Sequence, residues 1–333
     1  MRKLFLAAWA LSSAMALACS GGSDDSADDQ TGDDAGGDSS VEHSDASTTP
    51  ADATTSLSDS GSPIDAADGA DADSSPPLDG APPFDAGFVP LLDGGPVAAH
   101  QRPISKDKTT APNGYYEYLP AGYDGTVAAP LMVFWHGIGE DGDGLFEADG
   151  GGDLHLVPDN GPPKLIEANQ WADTRPFLVL SPQHGPSGCP SSGEIDAFIT
   201  WALAHYTVDP KRVYLTGLSC GAIGSWAYIT EYKDKVIAAT LLISGDPANA
   251  YSADGCSLVK DLALWSVHGS DDPTVNPTDD ETEMPKFIAC PEPRADVKFN
   301  LIDGGQHDVW TKTYDETYGI GDPYAWMLAN PKP

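Results

Sequence analysis

Val213-Tyr214-Leu215-Thr216-Gly217-Leu218-Ser219-Cys220-Gly221-Ala222-Ile223 decides the fold. Residues of strand character run into Gly-x-Ser-x-Gly, and a helix-like run with Trp226, Ala227 and Ile229 follows. A serine held in a sharp strand-to-helix turn needs small neighbours, because the tight turn leaves no room for side chains on either side. The stretch therefore predicts a nucleophile elbow, with the Ser219 hydroxyl projecting above the edge of a sheet.

Outward from the elbow, apolar runs of strand length recur at 131–135, 177–180, 239–243, 262–267 and 297–302. With 213–215 they read as parallel strands buried on both faces. Between the second and third strands, Ile195, Phe198, Ile199, Ala202 and Leu203 sit at helical spacing, and Ser191 with Glu194 forms a capping box at the start. A further helix is expected over 278–289. This alternation specifies an α/β fold, a doubly wound and mostly parallel sheet whose ligands bind beyond the carboxyl ends of the strands. The Gly- and Asp-rich segment 136–160 reads as a loop near that edge. Asp141-Gly142-Asp143-Gly144 lacks the remaining calcium-loop positions, which are Phe146 and Gly152 here.

A serine hydroxyl needs a base within reach and a carboxylate to orient that base. The strand at 262–267 ends in His268-Gly269-Ser270-Asp271-Asp272, and the strand at 297–302 ends in Asp303-Gly304-Gly305-Gln306-His307. Among eight histidines, His43 and His100 lie in or at the edge of the N-terminal acidic stretch, and His205 lies at a helix end. His155 and His184 lie in loops and read as surface or structural residues. His136 and His268 follow strands but neither comes after the candidate acid in the chain, so they read as loop stabilisers that bond backbone groups. His307 follows the acid on a glycine-bearing loop, which makes Ser219, Asp272 and His307 the expected nucleophile, orienting acid and base. The backbone N–H of Cys220, at the helix start, and that of Ile138, in His136-Gly137-Ile138-Gly139, are the expected oxyanion donors.

These residues resemble the polyhydroxybutyrate-depolymerase-like and feruloyl-esterase-like branch of the α/β-hydrolases. The likeness runs from about Tyr115 to Leu328 and includes Gly161-Pro162-Pro163-Lys164, Ser181-Pro182-Gln183, Asp209-Pro210-Lys211-Arg212 and His307-Asp308-Val309-Trp310. In that branch the acid follows His-Gly-x-x, which implies Asp272 rather than Asp271. Two departures stand out. Cys220 replaces the usual Met or Ala, as a partner in a disulfide or as a small buried residue, and Glu140-Asp141-Gly142-Asp143 replaces a more basic segment.

The formal net charge of −34 over 333 residues is unevenly spread. Residues 1–19 carry Arg2 and Lys3, an apolar stretch too short to span a bilayer, and Cys19 after Ala16-Leu17-Ala18, the layout of an export signal of lipoprotein type. Membrane attachment is expected through a lipid on Cys19, with plain secretion as the alternative. Residues 20–100 hold 18 of the 51 acidic residues and no Lys or Arg, so a disordered, self-repelling tether is expected there. Residues 101–333 have the size of one catalytic domain. Its acidity argues against nucleic acid as a partner. Cys189, Cys220, Cys256 and Cys290 leave three full pairings open in an oxidising compartment, and none has the spacing of a zinc site.

The expected activity is hydrolysis of carboxylic esters through an acyl-enzyme on Ser219, by a monomer needing no cofactor and no metal. An exported enzyme on a long stalk suits a large substrate such as a polyester or an esterified polysaccharide. A serine peptidase of the same fold and a catalytically idle surface binding module are the alternatives. Trp135, Trp226 and Trp310 are candidates for polymer contact, with core packing the commoner fate of such residues.

Overall fold

The computed structural model describes residues 100–146, 151–233, 235–291 and 295–333. The export signal, Cys19 and the acidic stretch up to residue 99 lie outside the described residues. In chain order come β1 (His100–Ile104), β2 (Tyr115–Leu119), β3 (Ala129–Trp135), α1 (Gly161–Glu167), β4 (Leu178–Pro182), α2 (Ser192–His205) and β5 (Val208–Leu218). Then follow α3 (Cys220–Tyr232), β6 (Ala239–Ile243), α4 (Ala250–Asp254), β7 (Ala263–Gly269), α5 (Thr278–Ile288), β8 (Val297–Ile302), α6 (Trp310–Tyr314) and α7 (Pro323–Ala329). Short 3-10 turns interrupt the connection between β3 and α1 at Ile138–Glu140 and Leu154–Asp159.

All eight strands form one sheet in the order β1-β2-β4-β3-β5-β6-β7-β8. The last six are mutually parallel, and β1 and β2 are antiparallel additions at one edge. Side chains alternate across the sheet, so each apolar run serves two cores. Leu131, Val133 and Trp135 face the layer of α2, α3 and α5 with Phe198, Trp226 and Phe287. Met132 and Phe134 face the layer of α1, α6 and α7 with Ile166, Tyr314 and Trp326. Each fully buried chain of this size contributes about 1.5–3 kcal/mol. Among the described residues, no helix is long and apolar enough to cross a membrane.

Several expectations need correction. His100 pairs with Leu119 in β1, so it belongs to the sheet and not to the tether. Strands β1 and β2 lack an apolar run because polar groups are satisfied inside them. Glu117 is fully buried, and its carboxylate accepts from Arg102 Nε at 2.7 Å and from the Tyr206 hydroxyl at 2.6 Å. Strand β8 is not buried on both faces: it closes the sheet as an edge, and of its residues only Val297 is buried. The capping box is only half made. Ser191 Oγ accepts from Glu194 N at 3.1 Å, whereas the Glu194 carboxylate turns to Asn113 Nδ2 at 2.8 Å and His184 Nδ1 at 3.0 Å.

Candidate active site

Ser219 stands between β5 and α3 with φ 50° and ψ −120°, a backbone conformation that costs a non-glycine residue about 1–3 kcal/mol. Its surroundings enforce that shape. A Cβ at Gly221 would lie 2.1 Å from the carbonyl oxygen of Trp135, and one at Gly217 would lie 2.8 Å from the Gly221 carbonyl. Ser219 N donates to Ile243 O at 2.9 Å, which ties the turn to β6. The turn is held by the strands beside it.

The base arrives from the edge strand. His307 follows Gly304, at φ +66°, and Gly305, and its carbonyl accepts from Ser244 Oγ at 2.7 Å. Gly269 and Gly305 allow the loops after β7 and β8 to touch: a Cβ at Gly269 would lie 2.3 Å from Gly305 O. His307 Nε2 lies 2.9 Å from Ser219 Oγ, and His307 Nδ1 lies 2.7 Å from Asp272 Oδ2. With Nδ1–H donated to the carboxylate, Nε2 accepts the serine proton. The Trp310 ring stands edge-on to the imidazole at 5.0 Å between centroids.

Asp272 is buried, whereas Asp271 is exposed and bonds Ser270 Oγ. The Asp272 Oδ1 atom accepts from the N–H groups of Thr274 at 2.8 Å and Val275 at 3.0 Å. Burial alone would raise the carboxyl pKa, but the bond from His307 and the two backbone donors outweigh it and hold the group below its ordinary value.

Cys220 is the first residue of α3, and Ile138 opens the 3-10 turn Ile138–Glu140. A Cβ at Gly137 would lie 3.6 Å from Ser219 Cβ, so this loop passes directly against the nucleophile. No acceptor among the described residues takes the N–H of Cys220 or of Ile138. Buried His136 shapes the loop: Nδ1 donates to Gly137 O at 2.7 Å, and Nε2 accepts from His184 N at 2.8 Å. Burial lowers its pKa to about 4, so the ring is neutral in this tautomer at neutral pH.

The structure thus brings Ser219, His307 and Asp272 into one hydrogen-bonded row and sets the Ile138 and Cys220 backbone beside it. The remaining candidates divide. Trp135 and Trp226 are core, and half-buried Trp310 flanks the base. Cys220 bonds Cys189, and Cys256 bonds Cys290. Among the described residues, no group of three His, Cys, Asp or Glu side chains has a metal-holding arrangement. His155 and His205 are exposed, and His184 is buried.

Sequence reasoning missed three features. Asn160 joins Glu140, whose pKa burial raises, to Trp310 and so links the oxyanion loop to the base loop. Asp280 was hidden among the ordinary acidic residues of the first turn of α5. His268 bonds two carboxylates as well as a backbone carbonyl, and the His-Gly-x-x-Asp spacing was the available signal for it.

No family model and no curated protein sequence matches the chain. Solved structures do. A thermostable esterase is 21% identical with a TM-score of 0.50, covering 70% of this chain and 63% of its own length. A feruloyl esterase module from Clostridium thermocellum complexed with sinapinate is 16% identical with a TM-score of 0.49, covering 73% of this chain and 93% of its own. The sheet order, the elbow and the likeness to the first of these define an α/β-hydrolase fold. The chain therefore has the fold of an esterase, of whose length it spans about 63%.

Proposed function

We propose that the protein is a serine hydrolase that cleaves carboxylic esters through an acyl-enzyme on Ser219. One observation carries the reading: Ser219 Oγ, His307 and Asp272 form an unbroken hydrogen-bonded row at 2.9 and 2.7 Å, with unclaimed backbone N–H groups next to the hydroxyl. Ser219 Oγ attacks the ester carbonyl while His307 Nε2 takes its proton, and the oxygen that becomes negative is held by the N–H groups of Cys220 and Ile138. His307 then returns the proton to the leaving alkoxide. Water attacks the acyl-serine by the reverse sequence and releases the acid.

Exposed Ile138 and half-buried Trp310 offer apolar surface for an acyl or aromatic group beside the triad. Export, attachment through a lipid on Cys19 and action on an extracellular polymer belong to the same proposal, and they rest on residues 1–100 as sequence. An active-site fluorophosphonate should label Ser219 as identified by peptide mapping, and a short p-nitrophenyl ester should be turned over. Ser219→Ala should lower that turnover by about 10⁴-fold or more with an unchanged circular dichroism spectrum. Undiminished turnover in this variant would end the proposal, and faster cleavage of peptides than of esters would favour a peptidase.

A further inference from the structure

The strand that leads into the Asp272 loop ends in a wholly buried histidine. His268, at the end of β7, and Asp280, in the first turn of α5, are both 0% exposed. His268 Nδ1 lies 2.6 Å from Asp280 Oδ2, and Asp280 Oδ1 accepts from Ser266 Oγ at 2.6 Å. On its other side, His268 Nε2 lies 3.2 Å from Asp272 Oδ2 and 3.0 Å from Val275 O. Asp272 Oδ2 is the same atom that His307 Nδ1 reaches at 2.7 Å.

Proton counting settles what the ring offers. Both neighbours of Nε2 are acceptors only, so Nε2 carries a proton. A second proton lies between Nδ1 and Asp280, whichever of the two holds it. Burial alone would drive a proton from the imidazole, but its bond to Asp280, the Asp280 charge, the Val275 carbonyl and the Asp272 charge raise its pKa overall. The other charged groups around the pair are acidic: Asp246 faces Asp280 and Asp279 from the loop after β6, and Glu283 lies on α5. His307 lies beyond Asp272, on the same Oδ2 atom.

We propose that His268, held by Asp280, is a positioning residue of the hydrolytic site: its Nε2–H shares the Oδ2 atom of Asp272 with His307, fixing the carboxylate and weakening its pull on the His307 proton. The proposal rests on the serine-hydrolase reading. An acid with two donors on one oxygen is less basic than an acid with one. Loss of the His268 donor returns electron density to Oδ2, which strengthens its bond with His307 Nδ1 and moves the acidic limb of the rate profile up.

The test uses the full chain and p-nitrophenyl acetate, with kcat and KM followed between about pH 5 and 9. His268→Leu/Asp280→Leu removes the pair without stranding a buried charge. It should raise the acidic-limb pKa by about one unit, a tenfold change in proton affinity. The kcat should fall while KM holds. Asp280→Asn should move the limb the same way by less, and Asp271→Asn should leave it in place. Folded variants with the wild-type limb would overturn the proposal.

If both variants fail to fold, nitrogen-15 NMR of the wild-type imidazoles decides. A proton on His268 Nε2 throughout this range is expected, and an unprotonated Nε2 overturns the proposal. A wild-type chain that neither turns over the ester nor takes fluorophosphonate on Ser219 signals failure of the hydrolase reading itself, and the positioning role falls with it.

Discussion

Two corners of the molecule begin alike. Trp135-His136-Gly137 and Val267-His268-Gly269 each end a buried parallel strand with a buried histidine followed by glycine. At the first corner the ring hydrogen-bonds a backbone carbonyl and a backbone N–H, the Glu140 and Asp141 carboxylates stand off at 3.9 Å, and the ring is neutral. At the second it meets two carboxylates and a carbonyl, and its pKa is raised. The difference is made by partners distant in sequence: His184 comes 48 residues after His136, and Asp280 comes from a helix packed under the loop. Equal local sequence therefore yields a ring that pins the backbone of the loop beside Ser219 at one corner and a ring held between two carboxylates at the other.

That contrast is broken most forcefully at the second corner. Asp272→Asn should lower kcat/KM by about 10³- to 10⁴-fold, because an amide favours the wrong tautomer of His307. Asp271→Asn, whose side chain is exposed, should stay within about twofold by the same ester assay. Equal losses would show that the acid has been misassigned.

The first corner is braced covalently, since the bridge from Cys220 reaches Cys189 in the loop that also carries His184. The bond closes a separation of 31 residues, for which chain entropy gives about 3–4 kcal/mol. Cys189→Ser/Cys220→Ala should lose roughly that much in urea unfolding, with a larger m-value because the denatured chain without the cross-link exposes more surface.

The smallest expected effect separates the corners by the sign of a pH dependence. His136 has a folded pKa of about 4, below its unfolded value of about 6.5, so on acidification the unfolded chain takes the proton first. Its contribution is complete above about pH 6.5 and declines toward pH 4, by about 3 kcal/mol in all. His268 works the other way, contributing at low pH and losing that contribution as pH rises through its raised pKa. Unfolding free energies at about pH 7 and 4.5 should differ less in His136→Phe than in the wild type, and an unchanged difference would refute the linkage.

The contrast also measures how much was legible in the sequence. The inner parallel strands could be read because each face of a run such as 131–135 meets its own helix layer, which leaves an uninterrupted apolar run, whereas β8 reads as buried on both faces and is an edge. The elbow could be read because the small residues it requires, Gly217 and Gly221, stand within five residues of sequence, although the atom that excludes a side chain at Gly221 is Trp135 O on the neighbouring strand. Strand β2 could not, because buried Glu117 is paid for by Arg102 and Tyr206, neither of them a neighbour in sequence. Strand β5 extends back to Val208 through Pro210, past a register shift opposite β3 that no apolar pattern announces. The Asp280–His268 pair, the disulfide partners and the diversion of Glu194 to His184 share that origin. Each is a contact between elements, whereas periodicity reports only on one element at a time.

The bridge at Cys220 has a chemical side as well as a mechanical one. A free sulfhydryl in that position would sit one residue from the Ser219 hydroxyl, and a thiol is intrinsically the stronger nucleophile of the two. Joined to Cys189, the sulfur carries no hydrogen to give up, and Ser219 is left as the one unblocked nucleophile of the pair.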